Sequence, residues 1–254
     1  ADVSWWQVKD GDVTTNGDLT SSVPSALYFD TVGDGGFPGV PVYGSTLNTG
    51  SGTVSITPPF GWNANTTTTS SRLFNYSYFD NLIPSDVTPT VATDTSLQST
   101  GFKLPDSDYE WFKTTGDLSI DSNIDFGTRK VILFVENGNL NINAKINLTD
   151  NSGFFGAFVN GSINVGLNVA GTPALEGIYI SDGAFSTGTN GTTEIGDSQL
   201  HIRGSVASFG NINLERDLSD NTLPAEIFEF APDQILLFPE KLGFRRQRWV
   251  EVAP

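Results

Sequence analysis

The sequence predicts an all-β chain. The form expected is a right-handed parallel β-helix, a solenoid with coils of about 22 residues, an irregular N-terminal excursion and a C-terminal hydrophobic cap. Three observations carry that reading. A glycine-led block recurs as Gly116-Asp117-Leu118-Ser119-Ile120, Gly138-Asn139-Leu140-Asn141-Ile142 and Gly161-Ser162-Ile163-Asn164-Val165. Weaker copies follow at Gly183-Ala184-Phe185 and Gly204-Ser205-Val206, and the glycines are 22, 23, 22 and 21 residues apart. Within each block apolar and polar residues alternate, which is the period of a strand with one buried face. Before each later glycine an apolar run ends in a turn former such as Glu136-Asn137, Asn160 or Ser181-Asp182. Strands of a sandwich meander also recur with turn signals. The whole block repeats at four intervals, which favours stacked coils.

Taken in order, residues 1-115 read as an N-terminal segment, with a first coil and a loop-rich excursion packed on the solenoid. Gly11-Asp12-Val13 and Gly17-Asp18-Leu19 resemble the later Gly116-Asp117-Leu118, so the chain is expected to lay down one coil, leave it and return at residue 116. Turn formers crowd Gly33–Gly39, Thr57-Pro58-Pro59 and the Ser/Thr run 66–71. Ser107-x-x-Glu110 has the form of a capping box and predicts a short helix bearing Trp111 and Phe112. Residues 116-216 are the predicted solenoid, with Leu118/Ile120, Leu140/Ile142 and Ile163/Val165 pointing inward as aliphatic ladders. In residues 217-254 glycines nearly vanish, and Phe228, Phe230, Leu236, Leu237, Phe238, Phe244 and Trp249 gather, which predicts a lid over one end of the stack.

Composition then excludes whole classes of function. The chain has 254 residues with 13 Lys+Arg against 29 Asp+Glu, a net charge of −16. Such a charge repels phosphate backbones and anionic lipid heads, so nucleic acid is not expected as a partner. No apolar run reaches the ~20 residues of a membrane helix, so no membrane span is expected. Zero Cys removes thiolate chemistry, and His201, the single histidine, rules out any site with two His ligands. Alternation turns His201 outward between Leu200 and Ile202. Zero Met with Ala1 leading the chain predicts removal of an upstream segment, and hence an exported, extracellular or cell-surface protein.

Candidate chemistry is weighed on the same residues. Asp117, Asp121, Asp125, Glu136, Asp150, Asp182, Glu194 and Asp197 could supply the carboxylate pair of a glycosidase or lyase. Nothing fixes two of them at a working separation, so no catalytic residue is assigned. The oxygen-rich turns Gly33–Gly36 and Asp150–Gly153 do not match a calcium loop, so neither metal nor cofactor is expected. Lys241, Arg245, Arg246 and Arg248 read as local counter-charge to the acidic body. Trp5, Trp6, Gln7 and Val8 are the candidate assembly interface, because adjacent indoles on a terminal segment must dock somewhere. The aromatic group around Phe74, Tyr76, Tyr78 and Phe79 is expected to bury the excursion against the solenoid.

The opening Ser4–Val13 with Gly35–Val40 resembles the start of a group of uncharacterised exported bacterial surface proteins. The close, with Arg216-Asp217-Leu218, Pro224-Ala225-Glu226 and Trp249–Pro254, is similar to theirs. That resemblance implies a surface location and brings no catalytic residues. The coil repeat is similar in style to the polymer-forming β-helices of the bactofilin type, which stack end to end without nucleotides. The large N-terminal excursion and aromatic cap depart from that pattern. The expected function is therefore an exported structural or interaction protein of the cell surface, a homo-oligomer, filament or surface-layer subunit joined head to tail. The alternative is a carbohydrate-active β-helix that binds or cleaves a surface glycan.

Overall fold

The computed structural model describes residues 3–33, 36–56, 62–68, 73–188 and 196–243. Parts of the sequence reading lie outside them: Asp34, Thr57-Pro58-Pro59, half of the Ser/Thr run, Glu194, Phe244, Arg245, Arg246, Arg248 and Trp249. The first coil runs through β1 (Trp6–Lys9), β2 (Val13–Thr15) and β3 (Leu19–Thr20). The second holds β4 (Tyr28–Thr31), β5 (Pro41–Tyr43) and β6 (Leu47–Asn48), and the third β7 (Thr53–Ser55) and β8 (Ala64–Asn65). An excursion follows with α1 (Tyr76–Asp80), β9 (Thr90–Val91), α2 (Asp94–Leu97) and β10 (Phe102–Lys103). Coiling resumes with β11 (Tyr109–Thr115), β12 (Leu118–Ile120), β13 (Ile124–Gly127), β14 (Lys130–Glu136), β15 (Leu140–Ile142) and β16 (Ile146–Leu148). It continues through β17 (Phe154–Val159), β18 (Ile163–Val165), β19 (Leu175–Ser181), β20 (Phe185–Ser186), β21 (Leu200–Ser208) and β22 (Ile212–Asn213). A last strand, β23 (Glu226–Glu229), precedes α3 (Pro232–Leu236).

This is a parallel β-solenoid of about eight turns, but the chain does not wind from one end to the other. The main sheet has the order β10-β11-β14-β17-β19-β21-β23-β1-β4-β7, so the first strand lies between the last strand and the second coil. Trp6 pairs with Glu226 on one side of β1, and Val8 pairs with Asp30 on the other. The early coils build away from β23, the excursion carries the chain to the opposite end, and the later coils wind back. Successive strands of this face are offset by 21, 24, 22, 27 and 26 residues from β11 to β23, and by 22 and 25 from β1 to β7. The period is thus nearer 24 than the 22 read from the glycines.

Those glycines do stack. Gly161 donates its N–H to the Gly138 carbonyl at 3.0 Å, and Gly183 to Gly161 at 2.9 Å. The next member is Gly210, bonded to Gly183 at 3.2 Å, and not the expected Gly204. Gly204 instead lies mid-strand over Gly177, because the coil from Ser181 to Ser208 is longer than the others. A Cβ on Gly138 would overlap the Gly116 carbonyl, whereas one on Gly17 would meet only the Thr15 hydroxyl, at 3.7 Å. Gly138→Ala should therefore cost about 1–3 kcal/mol through forced separation of coils. Gly17→Ala should stay within about 0.5 kcal/mol, and equal urea midpoints for the two would contradict the column.

The inward ladders are as the alternation predicts: Leu118, Leu140, Ile163 and Phe185 in one column, Ile120, Ile142 and Val165 in the next, all buried. The main sheet is covered on its outer face as well, which explains its continuous apolar runs. There Trp111, Phe134 and Phe158 stack, with ring centroids 6.5 and 5.0 Å apart. Phe79 of α1 lies 4.5 Å from Phe158, and Phe238 lies 6.1 Å from Phe154. The excursion aromatics thus bury it against the solenoid, as expected.

Two expectations need correction here. Residues 109–115 form strand β11 and not a helix, since Trp111 is needed on the outer face and Phe112 in the core. Glu110 is held by Arg129 at 2.6 Å and caps nothing. The described part of the C-terminal stretch, moreover, is not an end cap. It lies along the flank, pinned by the Arg203–Asp233 ion pair at 2.7 Å and by the Tyr109 hydroxyl on the Leu237 carbonyl at 2.7 Å. The end near β11 is covered by α2, whose Asp94 accepts from the Asp121 and Ser122 backbone. The divisions at 115/116 and 216/217 accordingly fall inside one continuous stack.

Candidate functional site

Among the described residues the stack is interrupted at one place. After β23 the chain donates the Phe230 N–H to the Lys9 carbonyl and then turns off at Pro232 into α3. Among the described residues the level of β23 therefore contributes a strand to the main sheet and none to the next face. On that face β22 belongs to the level below and β3 to the level above, while beside them the second half of β21 lies below β2, and neither pair is hydrogen-bonded across the gap. Two rung spacings of about 4.8 Å separate such levels, leaving room for one strand. The result is a cleft of about 1370 Å³ between the coil of β21–β22 and the coil of β1–β3.

Its walls follow from the ladders on either side. Ile212 continues the Leu118–Phe185 column but has no rung above it, and is half exposed. Phe209 and Phe230, also partly exposed, line the same opening. The Phe185 N–H bonds the Asn211 carbonyl and Thr187 bonds that of Asn213, so the alternation of a parallel ladder turns the Ile212 backbone groups toward the cleft. On the adjoining face, above the second half of β21, the Val13 N–H bonds Val40, which leaves Thr14 facing the cleft by the same rule. At the far corner the Trp6 indole donates to the Thr20 carbonyl at 2.8 Å and closes the cleft beside β3.

Trp5, Trp6, Gln7 and Val8 are thus brought to this region, but not as a free arm. Trp5 is buried with its indole N–H on the Asn221 carbonyl at 3.1 Å, and Trp6 packs edge-on to Phe29 at 4.7 Å. Gln7 donates to the Tyr28 carbonyl at 2.8 Å, and Val8 is core. Because β1 is paired on both sides, it offers no edge for the head-to-tail contact assigned to these residues.

All but Asp125 of the described carboxylates from the sequence list tie one coil or segment to another. Asp117 accepts from the Asn139 backbone, Asp121 from the Asn143 amide, Asp182 from the Tyr76 backbone and Asp197 from that of Asp217. Asp125 binds the Gly127 N–H, Glu136 pairs with Lys113 and Asp150 with Arg203. Asp12 and Asp18 do the same work in the early coils, toward Val40 and Thr46, and the Thr46 hydroxyl holds the Asp18 carboxyl below its usual range. Among the described residues no group of three or more His, Asp or Glu side chains is placed to hold a metal ion.

Sequence reasoning missed a buried polar knot behind the cleft. Arg216, fully buried, donates to the carbonyls of Gly166, Val169, Thr187 and Ser198 at 2.7–2.9 Å, and burial brings its guanidinium down to about 10. Glu226 accepts from the Thr187 hydroxyl at 2.7 Å, and burial raises its carboxyl. His201 does lie on the outer side of its strand, yet it is buried there, 2.9 Å from Glu229, and burial lowers its imidazole. No helix of the described chain is long and apolar enough to cross a membrane. No protein-family model, curated protein or solved structure matches the chain.

Proposed function

We propose that this chain is an exported structural and interaction protein of the cell surface that assembles through the open end of its coil stack. One observation carries the reading. The end at β11 is covered by α2, β9 and β10, whereas at the other end β7 and β8 have a strand neighbour on one side only, among the described residues. An unpaired parallel edge is a template for another strand, and a second copy or a partner that covers it removes the exposed backbone. The described buried charges serve the fold, which also favours a scaffold over an enzyme. A surface location belongs to the same proposal and is tested by labelling intact source cells with a membrane-impermeant amine reagent.

The assembly test uses the geometry of β7. Thr53 bonds back to Leu27, so the Val54 N–H faces outward by alternation. Val54→Pro removes that donor and leaves the inward ladder intact. Sedimentation and negative-stain imaging should show concentration-dependent assemblies for the native chain and a folded monomer for the variant. A native chain that stays monomeric at every concentration overturns the reading. So does release of reducing or unsaturated sugar ends from a glycan panel, which would favour the carbohydrate-active alternative.

A further inference from the structure

We propose that β23 is the spine of a hinge between the early coils (β1–β8) and the later ones (β11–β22), held shut by His201, Glu229 and Lys9 and opened by acid. The joint lies inside the stack, away from the open end at β7, so this proposal and the assembly reading can fail separately. Three observations make the joint a hinge. Only the main sheet crosses it: among the described strands, β2-β5-β8 and β3-β6 belong to the early coils alone, and β12-β15-β18-β20-β22 to the later ones alone. The core is divided at the same level. Trp5, Val8, Leu19, Val23 and Phe29 form one buried cluster and the later ladders another, and Phe228 of β23 packs against both. The cleft leaves the remaining faces open there, so the two stacks can rotate about β23 without breaking a ladder on either face.

The lock sits on the outer side of that strand. His201 of β21 is buried with its Nε2 2.9 Å from the Glu229 carboxylate, and the Lys9 ammonium of β1 reaches the same carboxylate at 3.4 Å. Glu229 thus ties β23 to both of its neighbours. The carboxylate accepts, which puts the imidazole proton on Nε2 and leaves Nδ1 buried without a partner among the described residues. A second proton can only go to Nδ1. While the seam is shut it finds no acceptor there, and the cations Arg203 and Lys9 stand nearby. The other charges at the seam, Asp150, Glu176 and Asp233, are held by Arg203 at 3.5, 3.4 and 2.7 Å. Burial, helped by the two cations, outweighs Glu229 and keeps the imidazole below the usual histidine value. An open seam gives the ring water and its ordinary value of about 6.5. Opening therefore takes up a proton. The closed seam is fully favoured above about pH 6.5 and is weakened as the pH falls through the lower, closed value.

Because His201 is the single histidine, its imidazole C–H signals can be followed by proton NMR on the full chain without any substitution. They should titrate below about pH 6.5. Amide exchange, corrected for its intrinsic pH dependence, reads the seam itself. The Ala225 and Phe230 amides donate across it to the Trp5 and Lys9 carbonyls at 2.7 and 3.0 Å, while the Leu140 and Ile163 amides donate within the later coils. From about pH 7.5 to about pH 5, protection of Ala225 and Phe230 should fall at least tenfold relative to Leu140 and Ile163. His201→Gln keeps an amide donor for Glu229 but cannot titrate, and should hold that ratio within about twofold. Titration at or above about pH 6.5, a ratio that stays flat in the native chain, or parallel loss at all four amides overturns the proposal. So does the same fall in His201→Gln, which would give the trigger to another group. Should His201→Gln fail to fold, the titration and the exchange of the native chain still decide.

Discussion

Leu140→Asp is expected to unfold the solenoid or to destabilise it by more than about 4 kcal/mol. Leu140 sits between Leu118 and Ile163 in the inward column, with no exposed surface. A carboxylate there has aliphatic neighbours above and below, and no donor within the column to receive it. It must stay ionised without a partner or take up a proton, and both outcomes cost several kcal/mol. The adjacent Asn141 points the other way and accepts a hydrogen bond from the Asn164 amide at 2.9 Å. Asn141→Asp keeps that acceptor on a partly solvated face and should change stability by less than about 1 kcal/mol. Chemical denaturation of the two variants decides the matter. Similar midpoints would mean that Leu140 and Asn141 have been assigned to the wrong faces.

That contrast also marks what was legible in the sequence. A coil's inner ladder is local information: Leu140, Ile142 and their turn sit within a few residues, and the same pattern repeats one coil later. The period, the parallel stack and the inward columns could therefore be read without coordinates. The order of the coils could not, because the contact of Trp6 with Glu226 joins residues 220 apart and no local pattern announces it. The cleft was invisible for a related reason. It is a gap among the described residues where β23 leaves for the flank, and a gap has no residues to read. Gly204 was mistaken for the column member because Gly204-Ser205-Val206 repeats the motif, while the true member, Gly210, introduces Asn211-Ile212-Asn213 only after a longer coil. Residues 109–115 were misread because a strand buried on both faces loses the alternation that identifies strands, leaving Ser107 and Glu110 as the stronger local signal. Arg216 gave no warning, since its four acceptors are backbone carbonyls drawn from two earlier coils.

Asp30→Asn should remove most of a pH dependence that the native chain carries across the neutral range. Asp30 lies in register with Val8 and Ser55 and is 1% exposed. Burial first, and then the nearby charges of Asp10 and Asp12, push its carboxyl up to about 8, while the Gly39 N–H only partly offsets them. The folded chain therefore holds a proton that the unfolded chain releases near pH 4. The stabilisation is complete below that value, and it is lost at about 1.4 kcal/mol per pH unit as the pH rises toward 8. Above 8 both states are ionised and the loss levels off, at an order of magnitude of 5 kcal/mol. An asparagine fills the same space without titrating. The difference in unfolding free energy between variant and native chain should therefore grow steadily in the variant's favour from pH 4 to pH 8. Taking that difference cancels the other titrating groups, such as Glu176 and Glu226, whose carboxyls burial also raises. A difference that stays flat across this range would mean that Asp30 is ionised in the folded chain, with a partner that its present surroundings do not supply.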